Sequence, residues 1–151
     1  MANPADIAAA MSSLEGDVAS HLATQLGLVV GENVFTGPVR KVSDNQAIAG
    51  AVPDQAIFVL GTGGFPDIPI IDGGDFGREA RPTVQIWIRS LPRDYDGGKT
   101  LSSNTYVAID KNPPSGYFEA RAASSQPTYV RRDDEDHHEW SINITLKRWE
   151  P

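Results

Sequence analysis

The chain of 151 residues contains no cysteine. This absence excludes disulfide bonds, thiolate nucleophiles, and zinc or iron–sulfur sites with cysteine ligands. No apolar run approaches the roughly 18 residues that a membrane-spanning helix needs. Residues 1–11 also lack the basic segment that opens a secretory signal peptide. We therefore expect a protein that does not enter a membrane and that stays inside a cell until something releases it.

Basic residues are scarce as well. Lys and Arg number 13 against 20 Asp and Glu, which gives a net charge of −7. A domain that holds nucleic acid by neutralising phosphates needs clustered cations, so stable nucleic-acid binding is disfavoured. An acidic surface suits a protein past which DNA must slide. A chain of this length is expected to form one domain, residues 1–151, with a core that needs no covalent staple.

Motifs of catalysis and ligand binding are also missing. No G-x-S-x-G elbow occurs, and the three histidines fall in a predicted helix and a charged turn. The Gly61–Gly64 segment (GTGG) lacks the Gly-Lys-Ser/Thr ending of a phosphate-binding loop, and no helical pattern follows it. We expect neither an enzyme nor a cofactor. Paired carboxylates for glycoside hydrolysis stay open, because an acidic chain contains many such pairs.

Apolar periodicity predicts two helices, Pro4–Leu28 and Lys99–Lys111. In the first, the apolar stripe consists of Ile7, Met11, Leu14, Val18, Leu22 and Leu26. In the second, Leu101, Thr105, Ala108 and Ile109 share one side. His21 lies beside the first stripe and is expected at the surface or at a boundary.

Alternating and short apolar runs predict strands between and after the helices. The predicted strands are 33–42, Ala56–Leu60, Arg81–Ser90, Tyr117–Ala122, Thr128–Arg132 and Glu139–Arg148. The stretch Gly61–Asp75 is rich in Gly, Pro and Asp, which predicts a loop that projects from the sheet. Residues 91–98 are expected to form a connection. This order favours an α+β fold, a mostly antiparallel twisted sheet with two helices packed on one face.

The segment 126–146 reads QPTYVRRDDEDHHEWSINITL and predicts a β-hairpin with a charged tip. Its second strand places Trp140, Ile142, Ile144 and Leu146 on one face, as a core strand would. The acidic tip has the residue types of a metal site, but His137 and His138 at a strand start point to opposite faces. Counted from Asp133, the sixth position of a calcium loop is His138 rather than glycine. A hydrated polar turn is favoured, and weak adventitious cation binding stays open.

Charged residues gather in pairs at the ends of predicted elements. The pairs are Arg40-Lys41, Arg78-Glu79, Arg131-Arg132, Asp133-Asp134 and Lys147-Arg148. Solvated faces explain such a distribution. Complementary edges that meet a copy of the same chain explain it too, and head-to-tail contacts of that kind close into rings.

Four segments taken in order resemble the minor capsid or tail-terminator family of tailed bacteriophages. They are VPDQAIFVLGTGG, REARPTVQIWIRS, LPRDYDGGKTLSSNTYVAI and QPTYVRRDDEDHHEWSINITL. The shared pattern begins with a strand ending in Thr-Gly-Gly and a strand with a terminal Arg (here Arg89). A helix of small residues that includes Tyr95 and Leu101 follows. Last, a Pro-x-Tyr motif leads into an acidic turn and then a strand that contains Trp-Ser-x-Asn. The resemblance covers most of Val52–Trp149.

The resemblance implies a structural virion protein with a small sandwich fold. Such a protein forms a hexameric ring at the head-proximal end of the phage tail, ends tail-tube polymerisation and docks to the head connector. The implied partners are copies of itself, the tail tube protein and the head connector or stopper protein, with DNA only passing through the lumen and no membrane. The implied location is the tail or neck of the virion, after assembly in the host cytoplasm.

Two alternatives to tail termination stay open. One is a head-completion protein bound to the connector in the neck, and the other is a small-molecule or cation-binding module that uses the Gly-rich loop and the acidic tip. We expect inter-subunit or tube contacts from the charged residues Arg131, Arg132, Asp133, Asp134, Arg78 and Arg81. No catalytic, cofactor-binding or metal-binding residue is predicted.

Overall fold

The computed structural model describes residues 4–40, 52–72 and 75–150, and the side chains of 14–40, 52–70 and 77–150. Its elements in chain order are α1 (Pro4–Leu26), β1 (Val34–Thr36), β2 (Ala56–Asp72), β3 (Asp75–Pro92), α2 (Tyr95–Ile109), β4 (Glu119–Ala122), β5 (Thr128–Arg132) and β6 (His137–Glu150). The side chains of Ile7 and Met11, residues 41 and 42 of the first predicted strand, and Gly73 lie outside this description.

The six strands form one sheet in the order β1-β2-β3-β6-β4, and β5 also pairs with β6, beside β4. Of the pairs among these six described strands, the short β1–β2 pair is parallel and the others are antiparallel. The predicted α+β class with a mostly antiparallel sheet is therefore confirmed. No helix among the described residues is long and apolar enough to span a bilayer.

The main core lies between the two helices and one face of the sheet. Cross-strand partners share a face, and the register of β3 with β6 aligns apolar pairs, namely Val84 with Ile144, Ile86 with Ile142, and Ile88 with Trp140. These residues and Leu146 are buried together with Leu14, Val18 and Leu22 of α1 and Ile109 of α2. The predicted core strand and both predicted helix stripes are confirmed where they are described. His21 lies half-buried between the helices, with Nε2 2.8 Å from the Ala108 carbonyl oxygen.

Helix α2 begins at Tyr95, four residues before its predicted start. Asp94 is the N-cap, and its Oδ1 accepts a hydrogen bond from the Gly97 N–H at 3.0 Å. Glycine is a weak helix former, so Gly97 and Gly98 led to the prediction that residues 95–98 belong to a connection. A Cβ on Gly98 would lie 2.4 Å from Cζ3 of Trp140 and 2.6 Å from Cβ of Ser90. Glycine is thus required there for the helix to approach the sheet.

The prediction of a loop over 61–75 is wrong, because its described residues belong to the long hairpin of β2 and β3. We call residues 61–72 and 75–82 the arm. Its strands pair in register at Ile68 with Glu79 and at Ile70 with Gly77, with shifts between Gly61 and Gly64 and between Phe65 and Ile68. Gly64 has φ of 138°, and a Cβ there would lie 2.4 Å from the Arg81 carbonyl oxygen. The glycine accommodates a bulge instead of ending the strand.

Other element ends differ from prediction by smaller amounts. β1 covers only three residues, β4 begins two residues later than predicted, and β6 extends two residues further at each end. β3 continues beyond the predicted Arg81–Ser90 because the arm lengthens it. The ends of these strands are set by pairing with strands distant in sequence, which local strand propensity does not predict.

Among the described residues, apolar side chains cover the second face of the sheet near its β1 end. Phe35, Val52, Ala56 and Phe58 form a small second core there, with Val39 and Trp87 packed against it. Further along the same face Thr62 and Thr83 are joined through their hydroxyl oxygens at 2.7 Å. This face therefore changes from apolar near Phe58 to polar along the middle of the sheet.

Candidate functional site

The six predicted contact residues divide between the two ends of the β3–β6 ladder. Arg131–Asp134 lie at the end marked by the pair of Pro92 with His137. Arg78 lies at the other end, where it pairs with Glu150. The ladder between Arg81 and Pro92 covers eleven residue steps, on the order of 35 Å. The structure therefore does not bring the six together, and two separate charged ends result. We call them the tip end and the arm end.

At the tip end, Asp133 turns inward and caps the hairpin turn. Its Oδ1 accepts hydrogen bonds from the N–H groups of Glu135 at 2.9 Å and His137 at 2.8 Å, and its Oδ2 lies 2.8 Å from Nδ1 of His137. Burial by itself raises the pKa of the Asp133 carboxyl, but these hydrogen bonds outweigh it and hold the pKa below its ordinary value. The tip is therefore only partly the hydrated turn that the sequence predicted.

His137 connects the tip to the segment before β2. Its side chain is 1% exposed, and its Nε2 lies 2.8 Å from Oδ1 of Asp54 while its Nδ1 contacts Asp133. His138, the next residue, lies on the other face, with its ring 5.4 Å from that of Tyr95. The expectation that the two histidines point apart is confirmed. The His137 ring thus holds Asp54, which lies 83 positions earlier in the sequence, against the hairpin turn.

Arg89 is the largest fully buried side chain of the described residues. Its guanidinium donates from Nε to the Asp54 carbonyl at 2.8 Å, from Nη2 to the Pro53 carbonyl at 2.7 Å, and from Nη1 to the Arg40 carbonyl. Burial lowers the pKa of this guanidinium, and the charges of Asp133 and Glu139 offset part of that effect. Arg89 therefore holds the segments on both sides of 41–51 against the sheet.

Arg131 and Arg132 flank this buried network on the outside. Arg131 donates from Nε to Oε2 of Glu139 at 3.1 Å, and the side chains are 61% and 3% exposed. That hydrogen bond raises the pKa of Arg131. Arg132 Nε lies 3.7 Å from Oδ1 of Asp136, and the Arg132 side chain is 64% exposed. Asp134 is exposed at the apex of the turn.

At the arm end, Arg78 and Arg81 tie strands together. Arg78 Nη2 lies 2.7 Å from Oε2 of Glu150, and its Nε lies 3.3 Å from Oδ2 of Asp67. Arg81 donates from Nε and Nη2 to the Pro66 carbonyl at 3.1 and 2.6 Å, and its guanidinium stacks over the Phe65 ring. Both arginines therefore stabilise the arm through contacts within the chain.

The sequence reasoning missed an apolar patch on the arm. Phe65, Ile68 and Trp149 are 55%, 41% and 46% exposed. Ile68 pairs with Glu79, and Glu79 pairs with Trp149, so both apolar residues lie on one face. Phe65 pairs with Arg81, two positions from Glu79, which puts it on the same face. We call these three residues the arm patch. Phe65 and Ile68 are three positions apart and lie among glycine and prolines, so the sequence shows no strand-like alternation there, and the irregular register between them brings them to one face.

Within the described ranges no group of three or more His, Asp or Glu side chains is arranged to hold a metal ion. The charged groups at the tip end satisfy one another or backbone carbonyls, and those at the arm end bridge strands. The arrangement offers partners two exposed surfaces at opposite ends of one sheet.

Comparison with known proteins gives a family and a set of solved chains with a similar fold. A family model described as bacteriophage tail terminator protein matches residues 42–148. No match was found among the curated proteins. A solved chain from the virion of a native gene transfer agent particle superposes with a TM-score of 0.51 at 13% sequence identity, covering 91% of this chain and 95% of that chain. At that identity the superposition supports the fold alone.

Proposed function

The chain belongs to the bacteriophage tail terminator family, and we propose that it forms a hexameric ring at the head-proximal end of the tail. It is a structural protein of the virion tail that assembles with other virion proteins. In the proposed role, the ring ends polymerisation of the tail tube and docks to the head connector. The family match favours this role over head completion.

The observation that carries the proposal is the division of the charged groups between two distant ends of one sheet. A terminator in a ring must contact the tube below, the connector above and a copy on each side. The tip end and the arm end, on the order of 35 Å apart along the strands, provide separate surfaces for separate partners. Arg131, Arg132, Asp133, Asp134, Arg78 and Arg81 are the proposed contact residues or their supports.

The net charge of −7 fits the proposed passage of DNA through the ring. Phosphates are repelled by an acidic lumen and retained by a basic one. DNA is thus a transient passenger, and the lasting partners are copies of this chain, the tube protein and the connector or stopper protein.

Cryo-electron microscopy of the virion tests the proposal. A six-fold ring of this chain is expected between the last ring of the tube and the connector. In particles assembled without the chain, tail length should no longer be capped. Density for another protein at that position, or a tail of normal length without the chain, would sink the proposal.

A charge reversal tests the residue assignment. Arg131→Glu with Arg132→Glu should block ring assembly while the monomer stays folded. The free energy of unfolding should fall mainly through Arg131, because its partner Glu139 is buried, whereas the half-exposed pair of Arg132 with Asp136 contributes little. Native mass spectrometry measures assembly, and circular dichroism confirms the fold. The matched control is Lys99→Glu with Lys111→Glu, which reverses the same charge on two exposed residues of the helical side. Equal loss of assembly in both variants would contradict the assignment.

A further inference from the structure

One flank of the sheet carries exposed positive charge. β4 and β5 lie along the outer side of β6, and within the described residues no strand pairs with their outer sides. They hold Arg121, Arg131 and Arg132, all exposed. Their one carboxylate, Glu119, lies 3.0 Å from the Lys147 ammonium. We call this surface the β5 flank.

The opposite flank carries negative charge. In the arm half of β2, residues 61–72, the charged residues are Asp67 and Asp72, and no cation is present. β1 pairs only with Ile57–Val59, so in the described part of the chain the outer side of the arm has no strand partner. Arg78 is the cation near Asp67, and it is shared with Glu150. Asp67 therefore retains attraction for a cation outside the chain.

Apolar groups accompany the charges on both flanks. Phe65 and Ile68 on the arm are 55% and 41% exposed, and Tyr129 and Val130 on β5 are 43% and 39% exposed. All five residues of β5 are exposed, which is unusual for a strand that carries two large apolar side chains. Each flank thus presents two apolar residues beside exposed charges, which are Asp67 on the arm and Arg131 and Arg132 on β5. Arg78 on the arm, and Glu139 and Asp136 at the tip, neutralise these charges in part. The two surfaces complement each other in both respects.

Two contacts with β6 brace the arm. The Trp149 indole covers Gly77, where an added Cβ would lie 2.1 Å from Cζ2 of the indole. Arg78 joins the arm to β6 through Glu150. A surface that is already ordered loses little conformational entropy on association.

The arm edge cannot extend the sheet without limit. Pro66 and Pro69 have no N–H, so a strand laid along the outer side of β2 would lack two donors. Prolines and bulges at an edge are a known protection against open-ended strand addition. A contact made by the arm therefore depends on side chains and not on a continuous backbone ladder.

The two flanks cannot meet within one chain, since β3 and β6 separate β2 from β5 by about 14 Å. We propose that Phe65, Asp67 and Ile68 of one copy pack against Tyr129–Arg132 of the next copy, with Asp67 facing Arg131 and Arg132. The contact is head-to-tail, so each copy uses both flanks and the chain of contacts closes into a ring. This inference rests on the proposed ring and assigns the surfaces that build it.

Cysteine cross-linking tests the contact cleanly, because the native chain has no cysteine. Ile68→Cys and Val130→Cys replace half-exposed residues, and the doubly substituted chain is treated with a short bismaleimide. The expected product is a ladder of covalent oligomers that ends at the ring. Each singly substituted chain should stay monomeric, and an equimolar mixture of the two should give dimers only, since each copy then carries one reactive site.

The cross-linked products decide between arrangements. Dimers formed by Ile68→Cys alone would show that arm meets arm and would overturn the inference. The absence of a ladder from the double variant would overturn it as well, whatever the mass of the untreated protein. Wild-type rings without a ladder would leave the proposed function standing. Absence of the chain from the tail of the virion would remove that function irrespective of the cross-linking.

Charge exchange tests the ionic part of the contact. In the double-cysteine background, Asp67→Arg should lower the yield of cross-linked oligomers about tenfold, as like charges oppose each other across an interface. Adding Arg131→Glu and Arg132→Glu should restore the yield. Failure of the combination to recover the yield, when each variant is folded by circular dichroism, would contradict the proposed facing of Asp67 and the two arginines.

Discussion

The tip end and the arm end use charged residues in opposite ways. At the tip end, Arg89 and His137 are buried, the Asp133 side chain is 10% exposed, and the three residues hold distant segments of one chain together. At the arm end, Asp67 and Arg78 remain about two-fifths and one-half exposed, and apolar side chains beside them face solvent. A buried charge contributes to the fold only while all of its partners are present, because an uncompensated one is strongly destabilising. The difference indicates that the interior of the tip end maintains the fold, while the arm end and the exposed side chains of β5 are available to partners.

The largest effect should come from the core tryptophan next to the tip. Trp140 is 3% exposed and packs against Gly98 of α2. Trp140→Ala should lower the free energy of unfolding by about 3–5 kcal/mol, as truncations of buried aromatics do. Urea denaturation followed by circular dichroism measures the change. A loss below about 1 kcal/mol would show that this part of the core repacks freely, contrary to its close contact with the helix.

The loss of the Asp133 carboxylate at the tip should have the next largest effect. Asp133→Ala removes the acceptor of two backbone N–H groups and of the His137 ring. The expected loss is about 2–3 kcal/mol, because hydrogen bonds to charged groups contribute more than neutral ones and the donors are left unsatisfied. Asp67→Ala at the arm end is the matched control and should cost less than about 1 kcal/mol. Equal losses would erase the distinction between the two ends.

The same carboxylate predicts a pH dependence. The pKa of Asp133 is lowered in the folded protein, so it stabilises the fold above its unfolded value of about 3.9. That stabilisation is lost as the pH falls through the folded pKa, because the unfolded chain takes up the proton first. Urea denaturation at a series of pH values should show Asp133→Asn losing less stability than wild type on acidification below about pH 4. Parallel curves would mean that other groups control acid unfolding.

The smallest effect on stability should come from the exposed tryptophan of the arm. Trp149→Ala removes a half-exposed side chain, so the free energy of unfolding should fall by only about 1 kcal/mol. Because the indole covers Gly77, the arm should become more mobile, which hydrogen exchange of residues 75–82 measures. A loss as large as that of Trp140→Ala would show that Trp149 contributes to the stability of the whole fold and not only to the order of the arm.

Elements governed by local periodicity could be predicted from the sequence. The stripe of Leu14, Val18 and Leu22 and the alternation of Val84, Ile86 and Ile88 each require one buried face, and both are confirmed. The start of α2 could not be predicted, since two glycines oppose a helix locally. Packing of Gly98 against Trp140 outweighs that preference.

The arm and the tip network show the two limits of such reasoning. Glycine and proline in 61–72 indicate a loop, but the pairing with β3 keeps the segment extended and places glycine at a bulge. Residues 85, 87 and 89 alternate along one strand, so the sequence did indicate which face of the sheet the Arg89 side chain occupies. Its carbonyl partners, Arg40, Pro53 and Asp54, lie more than thirty positions away and left no local trace.

The sequence by itself determined the fold class, the two helix stripes, the core face of β6 and a family resemblance that the family match confirms. Each of these predictions depends on the spacing of residues within a short window or on the order of motifs. Both kinds of pattern can be recognised in the unfolded sequence. Only the tertiary structure decided that Asp133 turns inward and that Phe65, Ile68 and Trp149 share an exposed face. Those outcomes depend on the register between strands and on contacts between residues far apart in sequence, and folding alone brings such residues together.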